Sequence, residues 1–365
     1  MKIKANQNVL KIKPYVPGKP IEEVKRAFGL KNVIKLASNE NPFPPSPKVL
    51  KAIQKAALLS NRYPDGACYE LRQAISARLK VLPDQLVFGC GSDEAIVMAL
   101  RAFVNPGDEV IMAKPSFLVY SIASIAVGAR LVEVPLKGLA YDLPAMRRAV
   151  TAKTKVVFIG NPDNPSGLFP RKADIMIFLK DFPEDVLVFF DEAYFEFVAD
   201  KDYADTLALL KTRKNIIVAR TFSKLYGLAG LRIGYAVADP EVADLMNRVR
   251  EPFNVTSLAQ AAALAALKDG AYYRKILKIL NRERDVVCAG LLKMGLAFSK
   301  GTTNFIQVCL PCDSSEVSLD LMKKGVIVRD MSVWGLKNYI RVTVGTPMEN
   351  KKFLKVLEEI IGRKT

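Results

Sequence analysis

Val186-Leu-Val-Phe-Phe-Asp191-Glu-Ala-Tyr194 is the stretch that decides the fold. Its first five residues are all apolar, with no polar residue between them. A strand with one wet face would alternate, so this one is buried on both faces. That is the signature of a parallel sheet covered by helices on each side. Asp191 stands at the strand's exit. In open α/β sheets the crevice outside the carboxyl ends of the strands is where ligands bind. A carboxylate there calls for a cationic or donor partner. Capping a helix would explain the same residue without any ligand.

Working outward, similar runs recur at Leu86–Phe88, Val110–Met112, Leu131–Val134, Val156–Ile159, Ile216–Ala219 and Ile233–Val237. Amphipathic stretches of helix length, such as Asp93–Phe103 and Lys172–Lys180, lie between them. The pattern predicts an α/β fold whose mostly parallel, seven-stranded sheet is covered by helices. After about residue 250 the texture changes. A long helical stretch, Tyr272–Leu292, precedes short strands near Phe305–Cys309, Val326–Val328 and Tyr339–Val344. Thr346-Pro-Met-Glu349 then opens a last helix, with Thr as cap, Pro in first position and Glu three residues after the cap. We expect three parts: an N-terminal arm over 1–35, a large domain over 36–250 and a smaller α+β domain over 251–365. Asn39-Glu-Asn-Pro-Phe-Pro-Pro-Ser-Pro47 reads as a rigid loop, because each Pro restrains the residue before it to extended geometry.

Composition excludes several chemistries. The 365 residues contain no histidine, which removes His-based triads, His-ligated metal sites and imidazole proton shuttles. Acid–base work near neutral pH then falls to Lys, Tyr, Cys, a shifted carboxylate or a cofactor. The formal charge of +17 suits acidic partners. The basic residues are dispersed, however, and no nucleic-acid-binding pattern appears. Neither nucleic acid nor a membrane is expected as a partner: no apolar run approaches the length of a bilayer span. The basic N-terminus lacks the apolar core of a secretory signal. Together with five cysteines, an odd number, this predicts a reduced, cytoplasmic protein. Cys309-Leu-Pro-Cys312 has a redox-pair spacing but lacks the flanking context, and reads as structural.

Four more motifs follow predicted strands. Gly89-Cys-Gly-Ser-Asp-Glu94 opens a helix, where backbone N–H groups and the helix dipole favour an anion. A third Gly of a dinucleotide fingerprint is missing at Glu94, so a phosphate-sized ligand fits better. Alone, the motif is equally a plain strand–turn–helix. Asn161-Pro-Asp-Asn-Pro-Ser-Gly167 has the composition of an ordinary turn, placed at a strand's carboxyl end. Thr221-Phe-Ser-Lys224 puts a lysine at a strand exit, a candidate imine-forming amine, and Gly227-Leu-Ala-Gly-Leu-Arg232 follows.

In this order the motifs resemble the fold-type-I pyridoxal-phosphate (PLP) enzymes of the class I/II aminotransferases. The likeness extends to Tyr15-Val-Pro-Gly18, Leu36-Ala-Ser-Asn-Glu-Asn-Pro42, Arg62-Tyr-Pro-Asp65, Val328-Arg329 and Arg341-Val-Thr-Val-Gly-Thr346. It implies an aminotransferase with PLP as cofactor and no metal. The catalytic residues would be Lys224, which binds the cofactor and relays a proton, Asp191 facing the pyridine nitrogen, and Tyr194. Asn164 and Tyr194 would meet the ring oxygen, and Phe117 would stack on the ring. Ser92, Asp93, Ser223 and Arg232 would hold the phosphate, joined by Tyr63 from a neighbouring subunit. That makes a homodimer with shared active sites. The carboxylate of Asp93 so close to a phosphate must turn away or pair with a base.

Arg329 and Arg341 would receive the substrate's anionic group, with Tyr15 and Asn39 as lesser contacts. The N-terminal motifs narrow the substrates to a phosphorylated amino alcohol and the glutamate/2-oxoglutarate pair. Aromatic amino-acid transamination and decarboxylation of a phosphorylated amino acid are the alternatives. Three positions depart from the family pattern, which has Thr, Asn and Tyr where this chain has Ser166, Asp163 and Phe117.

Overall fold

A computed structural model of the protein describes residues 4–363, so the outermost residues of the expected arm and small domain lie outside it. Strand β1 (Ile34–Lys35) comes first, followed by β2 (Leu86–Gly89), β3 (Glu109–Lys114), β4 (Arg130–Pro135), β5 (Thr154–Gly160), β6 (Leu187–Asp191), β7 (Ile216–Thr221) and β8 (Gly234–Ala238). The last seven form one sheet in the order β2-β8-β7-β6-β5-β3-β4. All seven apolar runs belong to it. Only β8 runs against its neighbours; β3 to β7 pair in parallel.

Alternate residues of these strands point to opposite faces, and both faces are covered. Val156, Phe158, Phe189 and Ile217 pack with Ile96, Ala99 and Leu100 of helix Ser92–Phe103. Val157, Ile159, Val188, Phe190 and Val218 pack with Ile175 and Phe178 of helix Lys172–Leu179. Burial on both sides explains why these strands carry no polar alternation. The parallel strands place the ends of β3, β5, β6 and β7 on one edge of the sheet.

The remaining strands are β9 (Phe298–Ser299), β10 (Phe305–Cys309), β11 (Val326–Ile327), β12 (Arg329–Asp330) and β13 (Tyr339–Thr343). Four of them make an antiparallel sheet, β12-β13-β10-β9. The long helix extends over Gly270–Lys293, and the last helix, Pro347–Ile361, has its capping box between Thr346 and Glu349. The N-terminal segment contains the helix Ile21–Phe28, and its β1 pairs in parallel with β11. Pro47, the end of the proline-rich loop, is the first residue of helix Pro47–Ala57, capped by Ser46. The Ala-rich helix Ser257–Leu267 packs on that helix and on Tyr69–Leu79. Its buried face is Ala259, Ala262, Ala263 and Ala266, small enough for backbones to approach closely. No helix among the described residues is long and apolar enough to cross a membrane.

Candidate active site

The ends of β6 and β7 and the turn after β5 open into a cavity of about 200 Å³, closed on the other side by β12 and β13. Asp191 is the last residue of β6 and is buried. Its carboxylate accepts from the Tyr120 hydroxyl at 2.8 Å and from the Ala193 N–H at 3.1 Å. Burial pushes the carboxyl up to about 6, against the pull of those two donors and of Lys224. A carboxylate in this state has room for a cationic donor. Lys224 also lines the cavity, its ammonium 5.4 Å from the centre of the Tyr194 ring.

The anion cradle forms where β2 ends and helix Ser92–Phe103 begins. Gly91 caps that helix at φ +90°, a conformation open to glycine. A Cβ there would collide with the side chains of Asp93 and Arg232. Those two pair at 2.8 Å, so the Asp93 carboxylate is neutralised by a base rather than left facing an anion. Ser92, Thr221, Ser223 and Arg232 complete the cradle's wall. Glu94 does not line the cavity: its carboxylate accepts from the Cys90 N–H of the turn and, at 2.7 Å, from Asn254.

Tyr194 and Asn164 line the cavity but spend acceptors on neighbours. The Tyr194 oxygen accepts from Asn39 Nδ2 at 2.9 Å, and Asn164 Oδ1 accepts from Arg341. The Tyr194 O–H and the Asn164 amide N–H groups stay available to a ligand. Phe117 stands edge-on to Tyr120, ring centres 5.6 Å apart.

Arg329 and Arg341 come from β12 and β13 and are both buried. No carboxylate forms an ion pair with either among the described residues. Burial lowers Arg341 to about 10, Arg329 adding to the effect while Tyr194 and Tyr15 oppose it. Its Nε has no hydrogen-bond partner. A buried guanidinium with an idle donor and no counter-ion is built to receive an anion. Tyr15 lies over Arg329, ring centre 6.0 Å from the guanidinium carbon, and the Val16 carbonyl accepts from Arg329 at 2.8 Å.

The cavity therefore gathers every residue expected to hold cofactor or substrate except Tyr63. Tyr63 is exposed and stacks on Phe253 at 4.7 Å, outside the cavity of its own chain. Sequence reasoning missed Tyr120, Thr221 as a cradle residue, and Trp334. Tyr120 lies one helical turn beyond Phe117, and that three-residue spacing was its available signal. Trp334 carried the signal of being the sole tryptophan. Cys309 and Cys312 form no disulfide, and Cys309 accepts from Asn338 at 3.3 Å. The departing residue Asp163 is buried and accepts from Ser166, Tyr141 and Ser116.

The residues present fit pyridoxal phosphate. Buried Asp191 has no ion-pair partner among the described residues, the Arg232 guanidinium stands against the Gly91 turn as a cation for a phosphate, and the Lys224 amine lines the same cavity. The sequence model of the family described as "Aminotransferase class I and II" matches residues 31–357. Among curated relatives, a histidinol-phosphate aminotransferase of Moorella thermoacetica is 46% identical over 98% of this chain and 93% of its own length. One from Methylobacillus flagellatus is 44% identical over 99% and 98%. The crystal structure of histidinol-phosphate aminotransferase from Sinorhizobium meliloti in complex with pyridoxal-5′-phosphate superposes with a TM-score of 0.91. It is 30% identical and covers 100% of this chain and 99% of that one.

Proposed function

We propose that this chain, which belongs to the class I and II aminotransferases, moves an amino group between histidinol phosphate and 2-oxoglutarate in histidine biosynthesis. Its cofactor is pyridoxal 5′-phosphate. When bound, that group supplies an electron sink for the carbanion at the substrate's amino-bearing carbon.

The chain's own residues do the rest. Asp191, buried and raised, holds a proton at the cofactor's ring nitrogen, and Tyr120 keeps the carboxylate in place. Lys224 is the one amine among the described residues that lines the cavity, and it is the attachment point for the cofactor. In a chain without histidine it is also the group that takes the carbon-bound proton and gives it back. Tyr194 and Asn164 donate to the ring oxygen. Ser92, Ser223 and Arg232 bind the phosphate, and Asp93 orients Arg232. Phe117 packs on the ring face. Arg329 and Arg341, with Tyr15 and Asn39, take the phosphate of histidinol phosphate or the distal carboxylate of glutamate.

The observation that carries the substrate reading is Arg341, a buried cation with an idle Nε and no ion pair among the described residues. An exposed Tyr63, stacked on Phe253 and away from its own cavity, supports a homodimer in which it serves the partner's phosphate site. The protein would work in the cytoplasm. The deciding measurement is product formation from histidinol phosphate and 2-oxoglutarate, with phenylalanine as the control donor. Phenylalanine turning over with higher kcat/KM would replace this reading with an aromatic aminotransferase.

A further inference from the structure

Two guanidinium groups placed side by side repel each other, so something must aim both into the cavity. Trp334, the chain's only tryptophan, ends a short 3-10 turn between β12 and β13. The Arg329 guanidinium carbon lies 4.9 Å from the centre of its ring, and that of Arg341 lies 5.9 Å away. A single indole thus offers its negative face to both cations. Its N–H points elsewhere, donating at 2.9 Å to the backbone carbonyl of Ser116. Ser116 belongs to the loop after β3 in the large sheet and precedes Phe117. Its side chain is anchored: the hydroxyl meets Asp163 Oδ1 and the Tyr141 hydroxyl, each at 3.4 Å, and Tyr141 donates to Asp163 at 3.0 Å. The tie from Trp334 therefore ends on a buried polar cluster rather than on a free loop.

We propose that Trp334 is a specificity-determining positioning residue. It holds Arg329 and Arg341 toward the cavity and fastens them to the large-sheet side at Ser116, so that an anionic substrate tail meets two aimed guanidinium groups. The proposal rests on the reading of those arginines as the anion receivers. A neutral tail has no use for this arrangement, so the tryptophan discriminates between donors by charge.

The test uses holoenzyme, in which the phosphate cradle at Gly91 is already filled, and inorganic phosphate as competitor against histidinol phosphate. Its inhibition constant is measured for wild type, W334L, W334F and R341Q, with cofactor absorbance and unfolding temperature followed in each. W334L loses both ring face and N–H and should weaken phosphate about fivefold or more. W334F keeps a ring face and should weaken it less. In wild type the single tryptophan emission should change with phosphate, half-saturating near the inhibition constant, and R341Q should abolish the change. A purely structural role would lower the unfolding temperature and kcat while leaving the inhibition constant alone. Should W334L fail to fold, W334F decides: an inhibition constant unchanged from wild type overturns the proposal. An unchanged constant in W334L with a raised one in R341Q overturns the role of Trp334 alone. An unchanged constant in R341Q overturns the arginine reading and the tryptophan's role together.

Discussion

Arg329 and Arg341 are direct partners across the antiparallel strands β12 and β13, two guanidinium groups on one face with no carboxylate among the described residues paired to either. Like charges placed directly opposite each other destabilise a sheet. Aromatic faces and carbonyls soften the repulsion here: Trp334 and Phe305 flank Arg341, and the Ala37 carbonyl accepts from it at 3.0 Å. An anion between the two would remove the repulsion altogether.

Inorganic phosphate should therefore stabilise the holoenzyme. At a hundredfold excess over its Kd the gain is about 2.7 kcal/mol. Thermal unfolding at matched ionic strength, with chloride as the comparison salt, reads it. The gain should disappear in Arg341→Gln. Equal stabilisation by chloride would mean general screening rather than a site.

Lys224 should carry the cofactor. The purified protein should be yellow, and borohydride reduction followed by peptide mapping should place the label on Lys224. A label on any other lysine would remove Lys224 from its role.

Asp191→Asn should keep the cofactor bound and lose turnover. An amide cannot hold the ring-nitrogen proton, so the carbanion loses its sink. We expect a fall in kcat of about 10³-fold or more, roughly 4 kcal/mol of transition-state stabilisation. Turnover near wild type would exclude the assigned role.

The same substitution should stabilise the apo-protein. Burial raises the Asp191 carboxyl from 3.8 to about 6. A carboxyl raised on folding favours the native state fully below its unfolded value, and that contribution is lost as pH rises through 6. At pH 8 the apo wild type should thus be less stable than apo Asp191→Asn by about 3 kcal/mol at most. Near pH 4 the two should converge. Denaturant unfolding of the apo forms at both pH values measures it, and a difference that grows toward low pH would contradict the sign.

Arg220 and Glu192 form a buried ion pair at 2.8 Å beside the catalytic strand ends. Burial opposes the charge on Arg220, but the Glu192 carboxylate, helped by Tyr235 and Glu196, holds the guanidinium above its usual range. Glu192 also accepts from Thr206 at 2.6 Å and Tyr203 at 2.9 Å. Arg220→Met leaves that carboxylate without its cation and should cost about 3–5 kcal/mol of stability. Replacing both partners by apolar residues should recover much of the loss. Denaturant unfolding of single and double variants checks this, and a single-variant loss under about 1 kcal/mol would refute it.

Local sequence was enough for the elements and for the groups at their ends. Val186–Phe190 and its companions are apolar throughout because the strands are covered on both faces, and that requirement is written residue by residue. Thr346 to Glu349 announced a helix start because a capping box is closed within four residues. Asp191 and Lys224 could be singled out because one ends such a strand and the other follows one within three residues. The antiparallel direction of β8 was not, since strand composition is the same whichever way the chain travels. The partners were beyond local reading for a similar reason. Tyr120 on Asp191, Arg232 on Asp93, Arg341 on Asn164 and Trp334 on Ser116 join residues 71 to 218 positions apart. Periodicity describes which face a side chain takes. Which distant side chain meets it there depends on sheet order and on how the small sheet packs over the large one, and only the tertiary structure decides that.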